Sequence, residues 1–185
     1  GQILIGTDGG GINILDPETG QFSLLEHIPG RDNYSLPANS ILCLYNDRNN
    51  NMWAGSIRNG LISIREVSMK TYKDVLPGND RGLSNSTVLS LFQESENRIW
   101  IGTDGGGINS FNPFTEKFAH YPSTWEDKVA SICPFTPGKL LISLFSQGVF
   151  IFNPATGEKH PFTIVDNETN TRLCNRGKAV NLLQN

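Results

Sequence analysis

A glycine-rich reversal flanked by short apolar strands occurs four times in this chain. Residues 98–112 read R-I-W-I-G-T-D-G-G-G-I-N-S-F-N, and residues 2–16 read Q-I-L-I-G-T-D-G-G-G-I-N-I-L-D. Residues 51–65 (N-M-W-A-G-S-I-R-N-G-L-I-S-I-R) and 139–153 (K-L-L-I-S-L-F-S-Q-G-V-F-I-F-N) are more diverged copies. Aligning the last glycine of each reversal gives Gly11, Gly60, Gly107 and Gly148, spaced by 49, 47 and 41 residues. A strand unit recurring at this period reads as one module repeated, each copy needing its neighbours to cover its apolar faces.

Between the reversals lie three further kinds of strand. Residues 40–46 (S-I-L-C-L-Y-N), 87–93 (T-V-L-S-L-F-Q), 128–133 (K-V-A-S-I-C) and 178–184 (K-A-V-N-L-L-Q) are almost continuously apolar. They are expected to be the innermost strands, buried on both faces. More polar strands over residues 21–25, 69–73, 117–121 and 158–163 close each module. No stretch shows sustained helical periodicity. The pattern predicts an all-β fold, a segment of four four-stranded propeller blades around an axis. With strands lettered A to D from the axis outward, the repeats fall at about 1–39, 40–86, 87–127 and 128–177, with a final inner strand at 178–185. The order is permuted: the first blade lacks its inner strand at the N-terminus. Trp53 and Trp100 hold the same B-strand place, taken by Leu4 and Leu141 elsewhere, and are expected between blades.

Composition removes several functional classes. The net charge is −3 and no basic stripe is present, so a nucleic-acid partner has no support. The longest apolar run, residues 140–145, is far below the roughly 20 residues needed to span a membrane, so no membrane contact by this segment is expected. Three cysteines form no framework; Cys43 and Cys133 read as small buried hydrophobes and Cys174 as a loop thiol. His27, His120 and His160 have no metal-ligand spacing, no nucleophile elbow is present, and neither a metal nor another cofactor is expected. Residues 6–11 could be mistaken for a phosphate cradle, but such a cradle opens a helix, and here an apolar strand follows. Asp166, Glu168 and Asn170 are spaced like calcium ligands but lack the glycine that such a loop requires. Asn33, Asn85 and Asn167 begin glycosylation sequons, a pattern common by chance.

The copies W-I-G-T-D-G-G-G-I-N (residues 100–109) and L-I-G-T-D-G-G-G-I-N (residues 4–13) resemble the two-component regulator propeller repeat. D-P-E-T-G (16–20), N-P-F-T-E (112–116), N-P-A-T-G (153–157) and L-S-N-S-T-V-L-S-L (83–91) fit the same repeat. The fourth copy departs from it, with S-L-F-S-Q (143–147) replacing the glycine core. The resemblance implies a sensor: the extracytoplasmic, periplasmic region of a Bacteroidetes hybrid two-component system, often responding to glycan breakdown products. Relatives of this kind carry further propeller blades, a membrane helix, a histidine kinase and a response regulator. The segment itself shows no kinase motif and is expected to be non-catalytic. Two rivals stay open: a secreted propeller enzyme acting on polysaccharide, as lyase or glycosidase, and a protein-interaction scaffold.

Loop geometry sharpens where a ligand would sit. In an antiparallel meander the B–C turns and the D–A connections emerge on one face, and the hairpins A–B and C–D on the other. The first face has the longer loops, residues 26–39, 74–86, 122–127 and 165–177, and long loops on a rigid scaffold are where binding is usually placed. Its candidate ligand residues are Trp125, Arg31, Tyr34 and Arg81 from the connections, with Asp8, Asp104 and Arg58 from the B–C turns. Aromatic faces suit an oligosaccharide, and arginines suit its uronate or sulfate groups. Finally, residues 2–6 lack an inner neighbour and residues 178–185 are of the matching type. Such an open edge invites another strand, so the segment is expected to self-associate or to join remaining blades of a longer parent.

Overall fold

The computed structural model describes residues 1–30, 35–49, 51–65, 68–166 and 171–173. They form successive antiparallel meanders. The first sheet is β1 (Ile3–Thr7), β2 (Gly11–Leu15) and β3 (Phe22–Leu25). The second is β4 (Ile41–Asn46), β5 (Met52–Ser56), β6 (Leu61–Arg65) and β7 (Ser68–Tyr72). The third is β8 (Val88–Ser95), β9 (Arg98–Thr103), β10 (Ile108–Asn112) and β11 (Lys117–His120). The fourth is β12 (Val129–Pro134), β13 (Leu140–Leu144), β14 (Gly148–Asn153) and β15 (Glu158–Pro161). These are the expected blades of a β-propeller, the first with three strands. Among the described residues the only helical turn is a 3-10 turn at Pro122–Thr124.

The last connection differs from expectation. Residues 165–177 read as a loop, yet β16 (Ile164–Asp166) pairs with β17 (Thr171–Leu173) as a small separate ladder. The two three-residue strands are too short for alternation to show in sequence. The final inner strand expected at 178–185 lies outside the described residues, as does Cys174.

The aligned glycines have a geometric cause. Gly11, Gly60, Gly107 and Gly148 have φ of +69°, +73°, +70° and +98°, a region that side chains with a Cβ disfavour. Gly11, Gly60 and Gly107 also lie under the chain that leaves their own blade. A Cβ on Gly60 would stand 1.9 Å from the Tyr72 carbonyl oxygen, and one on Gly107 2.2 Å from that of Thr124.

Blades join through three apolar clusters. Ile12, Ile41, Ala54 and Ile62 fill the first junction. Trp53, Leu61, Tyr72, Ile99 and Phe111 fill the second, and Trp100, Ile142, Leu144 and Phe152 the third. The B-strand tryptophans meet the C strand of the following blade edge-on, Trp53 against Phe111 at 5.4 Å and Trp100 against Phe152 at 6.3 Å. Each indole N–H is tied to a carboxylate six residues earlier. Trp53 Nε1 donates to Asp47 at 3.0 Å and Trp100 Nε1 to Glu94 at 3.2 Å.

The inner strands are not buried on both faces as expected. Each carries a one-residue bulge at the same place, after Ile41, Val88 and Val129. The extra residue is turned out of the ladder. Leu42 is consequently 40% exposed, and Leu89 and Ala130 are half-buried. Cys43 sits just past its bulge, wedged against Gly55 and Val88. Burial pushes its thiol up to about 12, and raises that of Cys133 as well.

Candidate functional site

The B–C turns and D–A connections meet at each blade junction through main-chain bonds. Gly9 and Gly11 N–H both donate to the Asn39 carbonyl, at 3.1 and 2.7 Å. Gly105 and Gly107 do the same to the Asp127 carbonyl, at 3.1 and 3.2 Å. The glycine turn is therefore an amide cradle, but its occupant is a carbonyl of the residue leading into the next blade. That replaces the phosphate such a cradle otherwise takes. The threonine before each glycine run closes the turn, with Thr7 and Thr103 hydroxyls donating to Gly11 and Gly107 carbonyls at 3.0 and 2.9 Å.

Around this frame the predicted residues separate. Trp125 is 43% exposed, just after the 3-10 turn, and its N–H donates to the Pro122 carbonyl at 3.1 Å. Asp104 is half-buried in the adjoining turn, with Oδ1 2.8 Å from Lys128 Nζ. The two are linked through Glu126, whose N–H donates to the Gly105 carbonyl at 3.0 Å. Asp8 holds the equivalent place in the first blade and is exposed. Arg58 is exposed at φ +66°, where the first and third blades have Gly9 and Gly105. Arg81 is exposed but stands apart: its neighbour Asp80 accepts from Phe118 N–H of the outermost strand at 2.7 Å and pairs with Lys117 at 2.8 Å. That bond with Lys117 is the main reason the Asp80 carboxyl lies below its usual range. Arg31 and Tyr34 lie outside the described residues.

Two residues at the same junction, Lys128 and Phe145, escaped the sequence reading, and a third, Asp127, was read there only as one residue of a long loop. Lys128 pairs with Asp104. Phe145, 44% exposed, holds the place of Asp8 and Asp104, and its N–H donates to the Lys128 carbonyl at 2.8 Å. Asp127 is buried, paired with Lys159 and reached by Gln147 Nε2 at 3.4 Å. Phe145 was legible from the repeat alignment, three residues before the aligned glycine. The pairing of Asp127 was not, since its partner Lys159 is 32 residues away in the outer strand. Together Trp125, Asp104, Lys128 and Phe145 make one mixed aromatic and charged patch between the third and fourth blades. Among the described residues no group of histidine, cysteine or carboxylates is placed to hold a metal. No helix among them is long and apolar enough to cross a membrane.

Comparison with known proteins places this geometry. A family model described as two component regulator propeller matches residues 35–58 and 82–105, the A–B halves of the second and third blades. No curated protein sequence matches the chain. Among solved structures, the extracellular domain of the hybrid two component system BT4673 from B. thetaiotaomicron is similar, with a TM-score of 0.75 and 19% identity. The match covers 98% of this chain and 23% of that one. That of BT3049 from the same organism gives 0.70 and 18%, over 90% of this chain and 23% of that one. A streptogramin B lyase structure gives 0.61 and 15%, over 92% of this chain and 53% of that one. This chain thus spans about a quarter of the extracellular-domain chains it resembles, and at these identities the likeness is one of fold.

Proposed function

We propose, for a chain built of two-component regulator propeller repeats, that it is the non-catalytic, extracytoplasmic part of a hybrid two-component sensor histidine kinase. Its ligand is an oligosaccharide, held on the face of B–C turns and D–A connections, and its setting is the periplasm of a Bacteroidetes cell. The observation that carries this reading is the repeat itself, matched in two blades and continuous in fold with two sensor extracellular domains. The patch at the third junction supports it chemically. An exposed indole offers a flat apolar surface for a sugar ring, and the Lys128–Asp104 pair offers both a donor and an acceptor to its hydroxyls and acid groups. The hairpin face offers less, because Asp47 and Glu94 there are committed to tryptophan anchors.

The lyase reading rests on fold likeness alone. Titration of oligosaccharides, neutral and uronate-bearing, into the chain while recording backbone amide spectra tests the proposal. Shifts at residues 104–105, 125–128 and 145–147 are expected, and Trp125→Ala should abolish them. Shifts confined to the A–B and C–D hairpins, or turnover of the sugar, would overturn it.

A further inference from the structure

Among the described residues, two glutamates adopt the left-handed backbone region that favours glycine, Glu116 at φ +56° and Glu126 at +72°. Glu116 stands in the C–D turn of the third blade, where the first and fourth blades have Gly20 and Gly157. Its side chain offsets the backbone cost, because Glu116 Oε2 lies 2.5 Å from Lys70 Nζ in the outer strand of the second blade. Glu126 has no such compensation. It is exposed, and among the described residues no ion pair or hydrogen bond reaches its carboxylate.

Glu126 lies in a type II turn over residues 124–127. Trp125 has φ −58° and ψ +147°, Glu126 follows at φ +72°, and the Asp127 N–H donates to the Thr124 carbonyl at 3.0 Å. The place Glu126 takes in such a turn normally holds glycine or asparagine. The turn is clamped on both sides. The buried Thr124 hydroxyl accepts from Ile108 N–H at 2.9 Å and donates to the Tyr121 carbonyl at 2.7 Å. Glu126 N–H is held by the Gly105 carbonyl, and Asp127 pairs with Lys159 of the fourth blade. A fixed backbone thus carries an exposed indole and an exposed carboxylate on adjacent residues, at a place where the fold alone favours glycine.

We propose that Glu126 determines the specificity of this part of the ligand face, and that the ring it selects is a neutral pyranose with two adjacent free hydroxyls. The inference rests on reading that face as an oligosaccharide site. The Trp125 indole covers the apolar side of the ring, and the Glu126 carboxylate accepts from both hydroxyls in charge-assisted bonds. Charge decides the class of sugar. Lys128 and Lys159 are engaged by Asp104 and Asp127, which leaves the Glu126 charge uncompensated at this junction. A uronate ring here would set carboxylate against carboxylate and is refused. An acidic ring of the same ligand has to lie elsewhere on the face. Holding the acceptor in place beforehand lowers the cost of binding, which gives the strained glutamate a use that the fold does not.

Calorimetric titration of the whole 185-residue chain tests this. The probes are tetrasaccharides of glucose, mannose and galactose, each beside its tetra-uronide, so that the members of a pair differ in the acid group. The chain is expected to prefer the neutral member of the pair it binds best. Glu126→Gln should weaken that neutral sugar roughly tenfold, the loss of hydrogen bonds to a charged acceptor, and strengthen its acidic counterpart. Such a change of ratio would not follow from a merely structural role. Glu126→Gly should lose the neutral sugar to a similar extent while melting slightly higher, because the left-handed strain is relieved. Glu116→Gln, on the hairpin face, should leave both affinities unchanged. An unaltered ratio in Glu126→Gln, a lower melting temperature in Glu126→Gly, or a native preference for the uronide would each overturn this assignment while leaving the oligosaccharide reading intact. Absence of binding by every member of the panel at about 1 mM would overturn both.

Discussion

The first and third blades share a nine-residue core sequence and backbone, yet live in different surroundings. Ile101 is fully buried, while its twin Ile5 is 42% exposed. Phe118 is buried on the incoming face of the third blade, whereas Phe22, at the matching place, is 65% exposed. The difference lies outside the nonapeptide. In the third blade, Trp53, Leu61 and Tyr72 of the preceding blade close over that face. The glycine turn therefore sets local geometry alone, and burial is conferred by whichever blade stands next to it, as expected of a quasi-one-dimensional array.

The largest effect that would break or sharpen this contrast is at the B-strand place. Trp100 is fully buried against Phe152 and Tyr121, so Trp100→Ala should cost about 3–5 kcal/mol in denaturant unfolding. Leu4→Ala at the twin position, half covered, should cost about 1 kcal/mol or less. Equal costs would mean that the first blade's other neighbour, not its exposure, decides.

The glycines should ignore the contrast. A Cβ on Gly11 would meet the Leu25 carbonyl oxygen at 2.4 Å, nearly as close as that of Gly107 to Thr124. Both obstructions belong to the chain leaving the same blade. Gly11→Ala and Gly107→Ala are therefore each expected to lower stability by about 1–3 kcal/mol. A neutral Gly11→Ala would show that the first blade's turn relaxes where the third cannot.

The blades were legible because strand, turn and spacing repeat, so that even a worn copy such as residues 139–153 could be placed by its last glycine. What remained hidden depends on partners distant in the chain. Nothing in I-L-C-L-Y reveals which residue is the bulge, because a continuous apolar run looks the same in either register. The Asp127–Lys159 pair joins one blade's exit to the next blade's rim. Of the candidate site, Trp125 and Asp104 fall on one pair of loops, while Arg81 is drawn to the outer rim by Asp80, which no loop-length argument could foresee.

The hairpin anchor of the second blade has no counterpart in the first, which lacks a described inner strand. Asp47 is buried and accepts from the Trp53 indole, the Asn51 side chain and the Asn49 and Asn51 N–H groups, at 2.7 to 3.2 Å. Burial alone would raise its carboxyl, but these bonds together outweigh it and hold the group below its usual range. A depressed folded value means that the stabilisation is complete above the unfolded carboxylate range, near 4. It is lost as pH falls through the folded value. Asp47→Ala should cost about 1–3 kcal/mol at neutral pH by orphaning the indole N–H. It should also flatten the acid limb of the stability profile. An unchanged acid limb would place the acid sensitivity elsewhere.

The smallest effect concerns the place two residues before the aligned glycine. The first and third blades have Gly9 and Gly105 there at φ +88° and +89°, and the second has Arg58 at +66°. For a residue with a Cβ this region costs roughly 1–2 kcal/mol, and glycine would regain part of that while losing entropy in the unfolded chain. Arg58→Gly should therefore stabilise the chain slightly, by about 0.5–1 kcal/mol, a rise of a few degrees or less in melting temperature. The side chain is exposed on the proposed ligand face, so the same variant should weaken binding of a uronate-bearing oligosaccharide while leaving a neutral one untouched. Measuring both on one preparation separates the causes. A more stable variant with unaltered binding would mean that the strained arginine serves no ligand, and a less stable one would mean that contacts made by its side chain outweigh the backbone cost.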